Sequence, residues 1–326
     1  MITKFGTHDG RDVLNAELSD GETKVSILNY GALTREWRAR GIPVVLGFDS
    51  FDPYPVHSRS FGIIAGRVAN RTAHGRFALE GVDYQLPQNS NGHHLHGGDL
   101  GLGRRIWDME AQSGGRGVRL RYHSPDGEEG YPGAVDFDIS ITLSGPTLTY
   151  EMTAMPDRAT PINLAQHNYY NLNGTGDVRR HDLRIAAAAY TPVDQDLIPT
   201  GEILPVAGTH LDFRANTQMG AIDPRGIGID HNLVLDQEAA GPQVVAQGDE
   251  TGLELRLWTD QPGVQLFNAP ALSVAVPGFD HTRYGAFSGF CLEPQGFPDS
   301  LNKPDFPSII ASPDRPYHQK LVVDIR

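Results

Sequence analysis

The chain lacks the features on which several common functional classes depend. Its 326 residues include a single cysteine, Cys291, so no disulfide forms within the chain and no Cys-x-x-Cys motif exists. No apolar run approaches the roughly 20 residues of a membrane span. The first residues, MITKFGTHDG, contain no basic segment followed by an apolar one. These absences predict a cytoplasmic protein that does not enter the membrane.

Basic residues are also scarce. Lys and Arg number 27 against 40 Asp and Glu, which gives a formal net charge of −13. An acidic chain does not favour nucleic acid or an anionic membrane surface as a partner. No coiled-coil or interface pattern is visible either, so we expect a monomer whose partner is a small molecule.

Helical periodicity is absent from every long segment, whereas alternation of apolar and polar residues is frequent. The segment VDFDISITL (135–143) alternates strictly, as a half-buried antiparallel strand does. The segments VRLRYH (118–123), TLTYEMT (147–153) and LELRLW (253–258) follow the same pattern. Turn sequences separate the first three, which predicts three consecutive strands of a meander.

The 37 glycines and 23 prolines are scattered between these segments instead of being gathered into a linker. No repeat of 20 to 50 residues, low-complexity tract or shift in composition marks a boundary. The sequence therefore predicts one domain over residues 1–326. Its fold class is all-β, a large antiparallel β-sandwich with short strands and long functional loops.

The stretch NGHHLHGG (91–98) places three histidines within four positions. Zinc sites often use two nearby histidines and a third ligand, and His94 and His96 in a strand would face the same side. No HExxH motif supports such a site, however. We expect His93 and His94 to be solvated in a loop whose turn the two glycines make, and His96 remains open between a metal ligand, an acid or base and a turn residue.

Further polar residues stand among apolar neighbours, and each has a structural interpretation when it is taken alone. Taken alone, Asn70 and Arg71 fit a turn and a surface ion pair, and His167 fits a core histidine. Asp230 fits a turn cap, Gln265 an amide at a sheet edge, and Glu293 a charge after an apolar strand. The segment GGDLGLG (97–103) lacks the GxGxxG spacing, so it does not predict a phosphate loop.

Taken together and in this order, the motifs resemble those of the aldose 1-epimerases, also called galactose mutarotases. The motifs are NR at 70–71, HLHGG, HNYYNL, GIGIDH, PGVQ and GFCLEPQ. The resemblance runs from about Gly31 to Ser308. It implies a galactose mutarotase-like supersandwich that interconverts the α and β anomers of a free aldohexose such as galactose or glucose, with no cofactor and no metal.

The resemblance also implies a role for each matching residue. Glu293 matches the base that removes the proton of the sugar's C1 hydroxyl, and His167 matches the acid that protonates the ring oxygen. His96 matches a histidine that assists on the ring-oxygen side. The residues that match or accompany the sugar-binding positions are Asn70, Arg71, Tyr169, Asp230 and Gln265.

Several positions depart from the family pattern, among them Phe267-Asn268-Ala269, where the family usually shows a Tyr-Thr-Gly run, and Ala165. Pro294 and Gln166 stand where the family commonly has Thr and Asn, which alters hydrogen bonds around the site but removes no catalytic group.

The implied mechanism requires Glu293 and His167 to carry opposite charges near pH 7. We expect nearby carboxylates to raise the pKa of His167 above its usual 6.5 or so, against the opposing effect of burial.

Alternative functions follow from the same residues. A sugar-binding regulator would keep the pocket without turnover, but the presence of both Glu293 and His167 favours an enzyme. A sugar-phosphate epimerase would need a cationic cluster for the phosphate, and that branch generally lacks the LHGG motif seen here. A metal-dependent hydrolase ranks behind both.

Overall fold

A computed structural model describes residues 1–58, 60–112 and 114–326 of the chain. The predicted meander is confirmed, because Gly117–Ser124, Val135–Ser144 and Thr147–Pro156 pair in sequence and antiparallel. In the central strand every second side chain, from Val135 to Leu143, is buried. The alternation that predicts these strands arises because one face covers the core and the other meets solvent.

The meander belongs to a nine-stranded sheet, which the strand containing most of LELRLW also joins. The last strand of the chain pairs with the meander strand Thr147–Pro156 on one side and with Glu254–Thr259 on the other, and it thereby links the two halves of this sheet. In spatial order the strands are Asp108–Ala111, Gly117–Ser124, Val135–Ser144, Thr147–Pro156, Tyr317–Ile325, Glu254–Thr259, Val244–Gln247, Asp182–Ile185 and Thr217–Gln218.

A six-stranded sheet packs on the other side of the core. In spatial order its strands are Tyr169–Tyr170, Phe290–Gln295, Gly263–Phe267, Asp230–Leu235, Ala187–Thr191 and Leu204–Pro205. All six residues of Phe290–Gln295 are buried, so this strand shows no alternation between polar and apolar positions. Glu293 accordingly lies inside this strand, whereas the sequence predicts it after a strand.

The remaining regular structure consists of a five-stranded sheet, short ribbons and short helices. The sheet contains Ile2–His8, Arg11–Asp20, Thr23–Leu28, Leu33–Ala39 and Ile42–Pro43. The ribbons pair Ile64–Ala65 with Ala165–Gln166, Arg71–Thr72 with His94–Leu95, Arg76–Leu79 with Val82–Gln85, and Thr160–Pro161 with Ile310–Ala311. The helices are Pro53–His57 and Met219–Ile222, and the 3-10 turns are Ala73–Gly75, Leu102–Arg104, Glu128–Gly130, Val178–Arg180, Phe279–His281 and Ser300–Asn302.

One large hydrophobic core lies between the layers. It joins Leu120 and Ile139 of the nine-stranded sheet to Leu266 and Leu292 of the six-stranded sheet, and Trp37 of the five-stranded sheet packs against the same cluster. The predicted all-β antiparallel sandwich is therefore confirmed. Within the described residues, no helix has the length and apolar character needed to cross a bilayer.

Candidate active site

The strand register of the six-stranded sheet gathers several of the predicted site residues on one face. Asp230 pairs with Phe267, Phe267 with Cys291, and Cys291 with Tyr169, so these four side chains form a row across neighbouring strands. Glu293 lies two residues beyond Cys291 and therefore on the same face. The opposite face of these strands supplies the sandwich core, while on this face a cavity is lined by Tyr169, Asp230, Phe267 and Glu293.

A cavity of about 190 Å³ lies over this row. Loops from the ribbons and the segment after Gln166 close its other walls. The lining residues are Ser60, Asn70, Arg71, Leu95, His96, His167, Tyr169, Asp230, Phe267 and Glu293. The structure thus brings seven sequence-predicted site residues to one cavity, while the eighth, Gln265, lies behind Asp230 and does not line it.

The centre of the cavity is a buried imidazole–carboxylate pair. His167 Nε2 lies 3.6 Å from Glu293 Oε1, and the exposed fractions of the two side chains are 4% and 3%. Neither His167 Nδ1 nor Glu293 Oε2 has a hydrogen-bond partner in the part of the chain that the structure describes. The ring of His167 stacks on Tyr169 with the centroids 5.1 Å apart, which fixes the orientation of the imidazole.

Burial sets the proton affinities of this pair. It raises the pKa of Glu293 well above the usual range of a glutamate, and the neighbouring Asp230 carboxylate raises it further against the opposing effect of Arg71. Burial also lowers the pKa of His167 to about 4. The expectation of a raised histidine pKa is therefore wrong for the free pocket, because desolvation dominates and only a backbone hydrogen bond opposes it.

His96 faces the pair as a neutral hydrogen-bond donor. Its Nδ1 accepts from the backbone N–H of Asn70 at 3.2 Å, so Nε2 carries the proton. Burial lowers the pKa of His96 well below its usual range, and the neighbouring His167 and Arg71 lower it further. The two histidine rings meet edge to face with a centroid distance of 5.2 Å.

The glycines after His96 have positive φ angles and lie in close contact with other groups. Gly97 has φ +85°, and a Cβ at this position would overlap the carbonyl oxygen of Gly66. Gly98 has φ +106°, and a Cβ there would overlap the carboxylate of Glu129. The HGG motif thus lets the chain turn sharply away from the cavity directly after His96.

The polar wall opposite the pair contains a guanidinium and a second carboxylate. Arg71 Nη1 lies 3.7 Å from Asp230 Oδ2, and Gln265 Nε2 donates to Asp230 Oδ1 at 2.6 Å. Asn70 adopts a left-handed conformation with φ +60°, and its side-chain oxygen accepts from the N–H of Arg71 at 2.8 Å. The charged groups of this wall are thereby held in fixed positions.

His93 and His94 are buried, so the prediction that they are solvated is wrong. His94 is fully buried, with Nε2 2.6 Å from the Tyr131 hydroxyl and Nδ1 2.8 Å from the Pro87 carbonyl. His93 Nδ1 accepts from the N–H of His74 at 3.0 Å. Both rings satisfy buried polar groups and neither lines the cavity, which separates them from the neighbouring His96.

The three innermost groups also satisfy the spacing of a metal site. One nitrogen from each of His96 and His167 and one oxygen from Glu293 all lie within 4.8 Å of one another. The pairing of His94 with His96 that the sequence suggests for a metal is not formed, since the His94 ring is bonded to Tyr131 and Pro87. The arrangement is therefore compatible with acid–base chemistry and with a bound cation.

Sequence reasoning missed three of the lining residues. Ser60, Leu95 and Phe267 contribute to the cavity, and Ser60 and Leu95 also border an adjacent cavity of about 200 Å³ that shares His96. Leu95 stands in HLHGG and Phe267 follows PGVQ by two residues, but as apolar residues they carry no chemical pattern of their own. Ser60 lies outside every motif, so only its position in space reveals it.

Comparison with known proteins places the chain. The sequence profile of the family described as Aldose 1-epimerase matches residues 15–324. The chain belongs to the aldose 1-epimerase family. Its curated relatives include galactose mutarotase of Rattus norvegicus, 38% identical over 95% of this chain and 93% of that protein. Aldose 1-epimerase of Haemophilus influenzae is 32% identical over 93% of this chain and 92% of that protein.

Solved structures of family members share the fold. The aldose epimerase homologue from C. elegans superposes with a TM-score of 0.91 at 27% identity, covering 96% of this chain and 99% of that one. Galactose 1-epimerase from Lactobacillus acidophilus gives 0.86 at 25% identity, over 100% of this chain and 98% of that one. The whole described fold, including the sheet that carries Glu293, is therefore that of the family.

Proposed function

We propose that this chain is an aldose 1-epimerase in which Glu293 and His167 interconvert the anomers of a free aldose. The observation that carries the assignment of residues is the buried pair, with Glu293 Oε1 and His167 Nε2 3.6 Å apart in the wall of the cavity. Both oxygens that exchange protons in this reaction, O1 and the ring oxygen, are bonded to the same carbon of the sugar. A base for one and an acid for the other must therefore be close neighbours, as these groups are.

The reaction consists of balanced proton transfers. The Glu293 carboxylate takes the O1 proton while the His167 imidazolium gives its proton to the ring oxygen, so the C1–ring-oxygen bond breaks and a C1 carbonyl forms. Rotation about C1–C2 presents the other face of the carbonyl, and the reverse transfers close the ring. Each such group typically contributes about 10²–10⁴-fold. His96, with its proton on Nε2, supports the ring-oxygen side by donating a hydrogen bond.

The shifted proton affinities are consistent with this scheme because the pair holds one proton in both of its forms. In the free pocket burial favours a protonated Glu293 and a neutral His167. Moving that proton to His167 creates the reactive ion pair without taking any proton from solvent. A sugar hydroxyl that donates to the carboxylate stabilises its ionised form, so substrate binding favours this shift.

The wall of Arg71, Asp230, Asn70 and Tyr169 supplies the substrate contacts in this proposal. A guanidinium presents donors in a fixed fork and a carboxylate presents acceptors, which together recognise vicinal hydroxyls. Gln265 fixes one oxygen of Asp230 from behind and thereby orients the carboxylate towards the sugar. Galactose and glucose are the proposed substrates, since the family's curated members include galactose mutarotases.

The experiment that tests the function is an anomer-exchange assay. Fresh α-galactose or α-glucose is followed by polarimetry, with the spontaneous rate subtracted. Exchange above the spontaneous rate supports an enzyme, and its loss in Glu293→Gln supports the base. Sugar binding without accelerated exchange would instead indicate a non-catalytic sugar-binding protein on the same scaffold.

A further inference from the structure

A second polar row lies directly beside the cavity row. Thr191 pairs with Asn232, Asn232 with Gln265, and Gln265 with Glu293, so four polar side chains follow one another across four neighbouring strands. All four residues are buried, with exposed fractions of 0% to 4%. Asn232 Nδ2 donates to Thr191 Oγ1 at 3.3 Å, which turns the Asn232 amide oxygen towards the rest of the row.

The next cross-strand row of the sheet contains another buried amide side chain. Gln295 lies two residues beyond Glu293 on the same face, and its cross-strand partner is Gly263. Gln295 is completely buried, yet neither its amide nitrogen nor its amide oxygen has a hydrogen-bond partner among the described residues. The same is true of the amide oxygen of Asn232 and of Glu293 Oε2.

The missing side chain of Gly263 lets the Asn232 amide oxygen approach the backbone beside Gln295. A Cβ at Gly263 would overlap the Asn232 amide oxygen and lie 3.1 Å from the ring of Phe297. Directly opposed residues have Cβ positions about 4.5–5.5 Å apart, so the Asn232 oxygen and the side chain of Gln295 border the same position beside the glycine. The ring of Phe297 packs against the same position.

A sugar in the cavity does not satisfy the amide atoms of Asn232 and Gln295. Asn232 and Gln295 do not line the cavity that Glu293 lines. Leaving a buried amide atom without a partner destabilises the fold, and here Gln295 alone presents two such atoms. Buried water is the usual partner of such groups, typically making about three hydrogen bonds to them.

We propose that a buried water molecule over Gly263 bridges Gln295 and Asn232 to the outer oxygen of Glu293, and that Gln295 and Asn232 are positioning residues for the base. The water accepts from the Gln295 amide and donates to the Asn232 oxygen and to Glu293 Oε2. It fixes the carboxylate orientation from the side away from the sugar. This inference rests on the proposed role of Glu293.

The effect of this water on the base has a definite sign. A donor to the carboxylate favours its ionised form and so lowers its pKa. The other titratable or charged groups facing Glu293 are His96, His167, Tyr169, Arg71, Asp230 and Cys291. All of them remain when Gln295 is replaced, so the change isolates the contribution of the water.

The test combines kinetics with a high-resolution crystal structure of the whole protein. In Gln295→Met, which keeps the side-chain length but not the amide, we expect kcat to fall about tenfold and the alkaline limb of kcat/KM to move up by about 0.5–1 pH unit. The sugar dissociation constant should stay within about threefold, because Gln295 does not line the cavity. In the wild-type crystal structure we expect an ordered water within hydrogen-bond distance of Gln295 and Glu293.

Gln243→Met is the matched control. Gln243 is also buried, but its amide bonds to Thr259 at the opposite sheet, so this variant should lose stability and keep the wild-type pH profile. If Gln295→Met does not fold, Asn232→Leu removes the other wall of the water site and should shift the same limb in the same direction.

The outcomes separate this inference from the proposed function. A dry space over Gly263 in a structure that resolves buried waters elsewhere, or an unshifted limb in Gln295→Met, overturns the water site. If kcat falls in Gln295→Met while the alkaline limb of kcat/KM stays in place, Gln295 has a packing role only, and the water site is again overturned. Glu293→Gln in the same assay tests the base itself, and full activity there would refute the proposed function instead.

Discussion

The Glu293 carboxylate oxygen Oε1 lies 3.6 Å from His167 Nε2, and both side chains are almost completely buried. This separation is longer than a hydrogen bond, so the two groups are neighbours that are not locked to each other. Each group is therefore free to form a hydrogen bond with a substrate atom. The chemistry proposed for this chain depends on that relationship.

Replacing the base should stop turnover while leaving binding intact. Glu293→Gln keeps the shape of the side chain but removes the proton acceptor, so kcat should fall by at least about 10². The dissociation constant of galactose should stay within roughly tenfold, as titration calorimetry would measure. Glu238→Gln, the same change at an exposed position, should leave both quantities unaltered. Near-normal turnover in folded Glu293→Gln would mean that another residue is the base.

The pH profile of kcat/KM should be a bell whose limbs belong to the pair. Below a value near the pKa of about 4 of His167, a second proton leaves no base. Above the raised pKa of Glu293, loss of the only proton leaves no acid. The acid limb therefore reports uptake of a second proton by the pair, and the alkaline limb reports loss of its only proton. A sharp loss of activity on acidification through pH 6.5, without unfolding, would contradict this assignment.

Removing the acid should invert one limb of that profile. In His167→Asn most activity is lost, and the remainder needs only the ionised Glu293. Burial and Asp230 hold the pKa of Glu293 high, and His167 is not a cause of that shift, so the residual rate should rise with pH through the region where the wild type falls. A falling alkaline limb that persists in His167→Asn would show that the wrong histidine has been chosen as the acid.

Asp230 should tune the alkaline limb. Its carboxylate raises the pKa of Glu293, so Asp230→Asn should move the alkaline limb of kcat/KM to lower pH. KM should rise as well, because Asp230 lines the cavity. An exposed exchange of the same type, Asp236→Asn, is the control. An alkaline limb that stays in place would mean that Asp230 is electrostatically remote from the base.

Chelation distinguishes the acid–base proposal from a metal at the same residues. His96, His167 and Glu293 have the spacing of metal ligands, whereas the proposed reaction uses them as donors and acceptors of protons. Anomer exchange should therefore survive exhaustive dialysis against EDTA. Activity that disappears and returns with added zinc would assign a metal role to His96.

His93 should matter for stability and not for catalysis. Its ring is buried and its Nδ1 accepts a backbone hydrogen bond from His74, so His93→Ala should lower the free energy of unfolding by about 1–3 kcal/mol. The pH profile of the folded variant should match that of the wild type. Urea denaturation and the anomer-exchange assay measure these two effects, and a shifted profile would place His93 in the catalytic machinery.

The sequence predicts those strands that have one solvent-exposed face. Val135–Ser144 alternates because solvent meets every second side chain, and the meander follows from it. The strand Phe290–Gln295 is buried on both faces, so its polar residues carry no periodic pattern that could place them in a sheet. For the same reason the row from Thr191 to Glu293 becomes visible only through the strand register.

For the site, motif resemblance identified the groups around the cavity but not their environment. The depth of burial decides the pKa values of His167 and Glu293, and burial depends on loops that are distant in sequence. His93 and His94 illustrate the same difficulty, since only Tyr131, Pro87 and the backbone of His74 explain why polar rings are buried there. Neighbouring histidines of one motif thus have different roles, since His96 lines the cavity whereas His93 and His94 do not.

The most direct measurement of the acid–base account is anomer exchange by the two single variants and their double variant. We expect the wild type to accelerate equilibration of α-galactose, and Glu293→Gln and His167→Asn each to lose most of that acceleration. Because an acid and a base that act on one bond form a unit, the double variant should be about as slow as the slower single variant. Fully multiplicative losses, or a wild type no faster than the spontaneous reaction, would contradict the account.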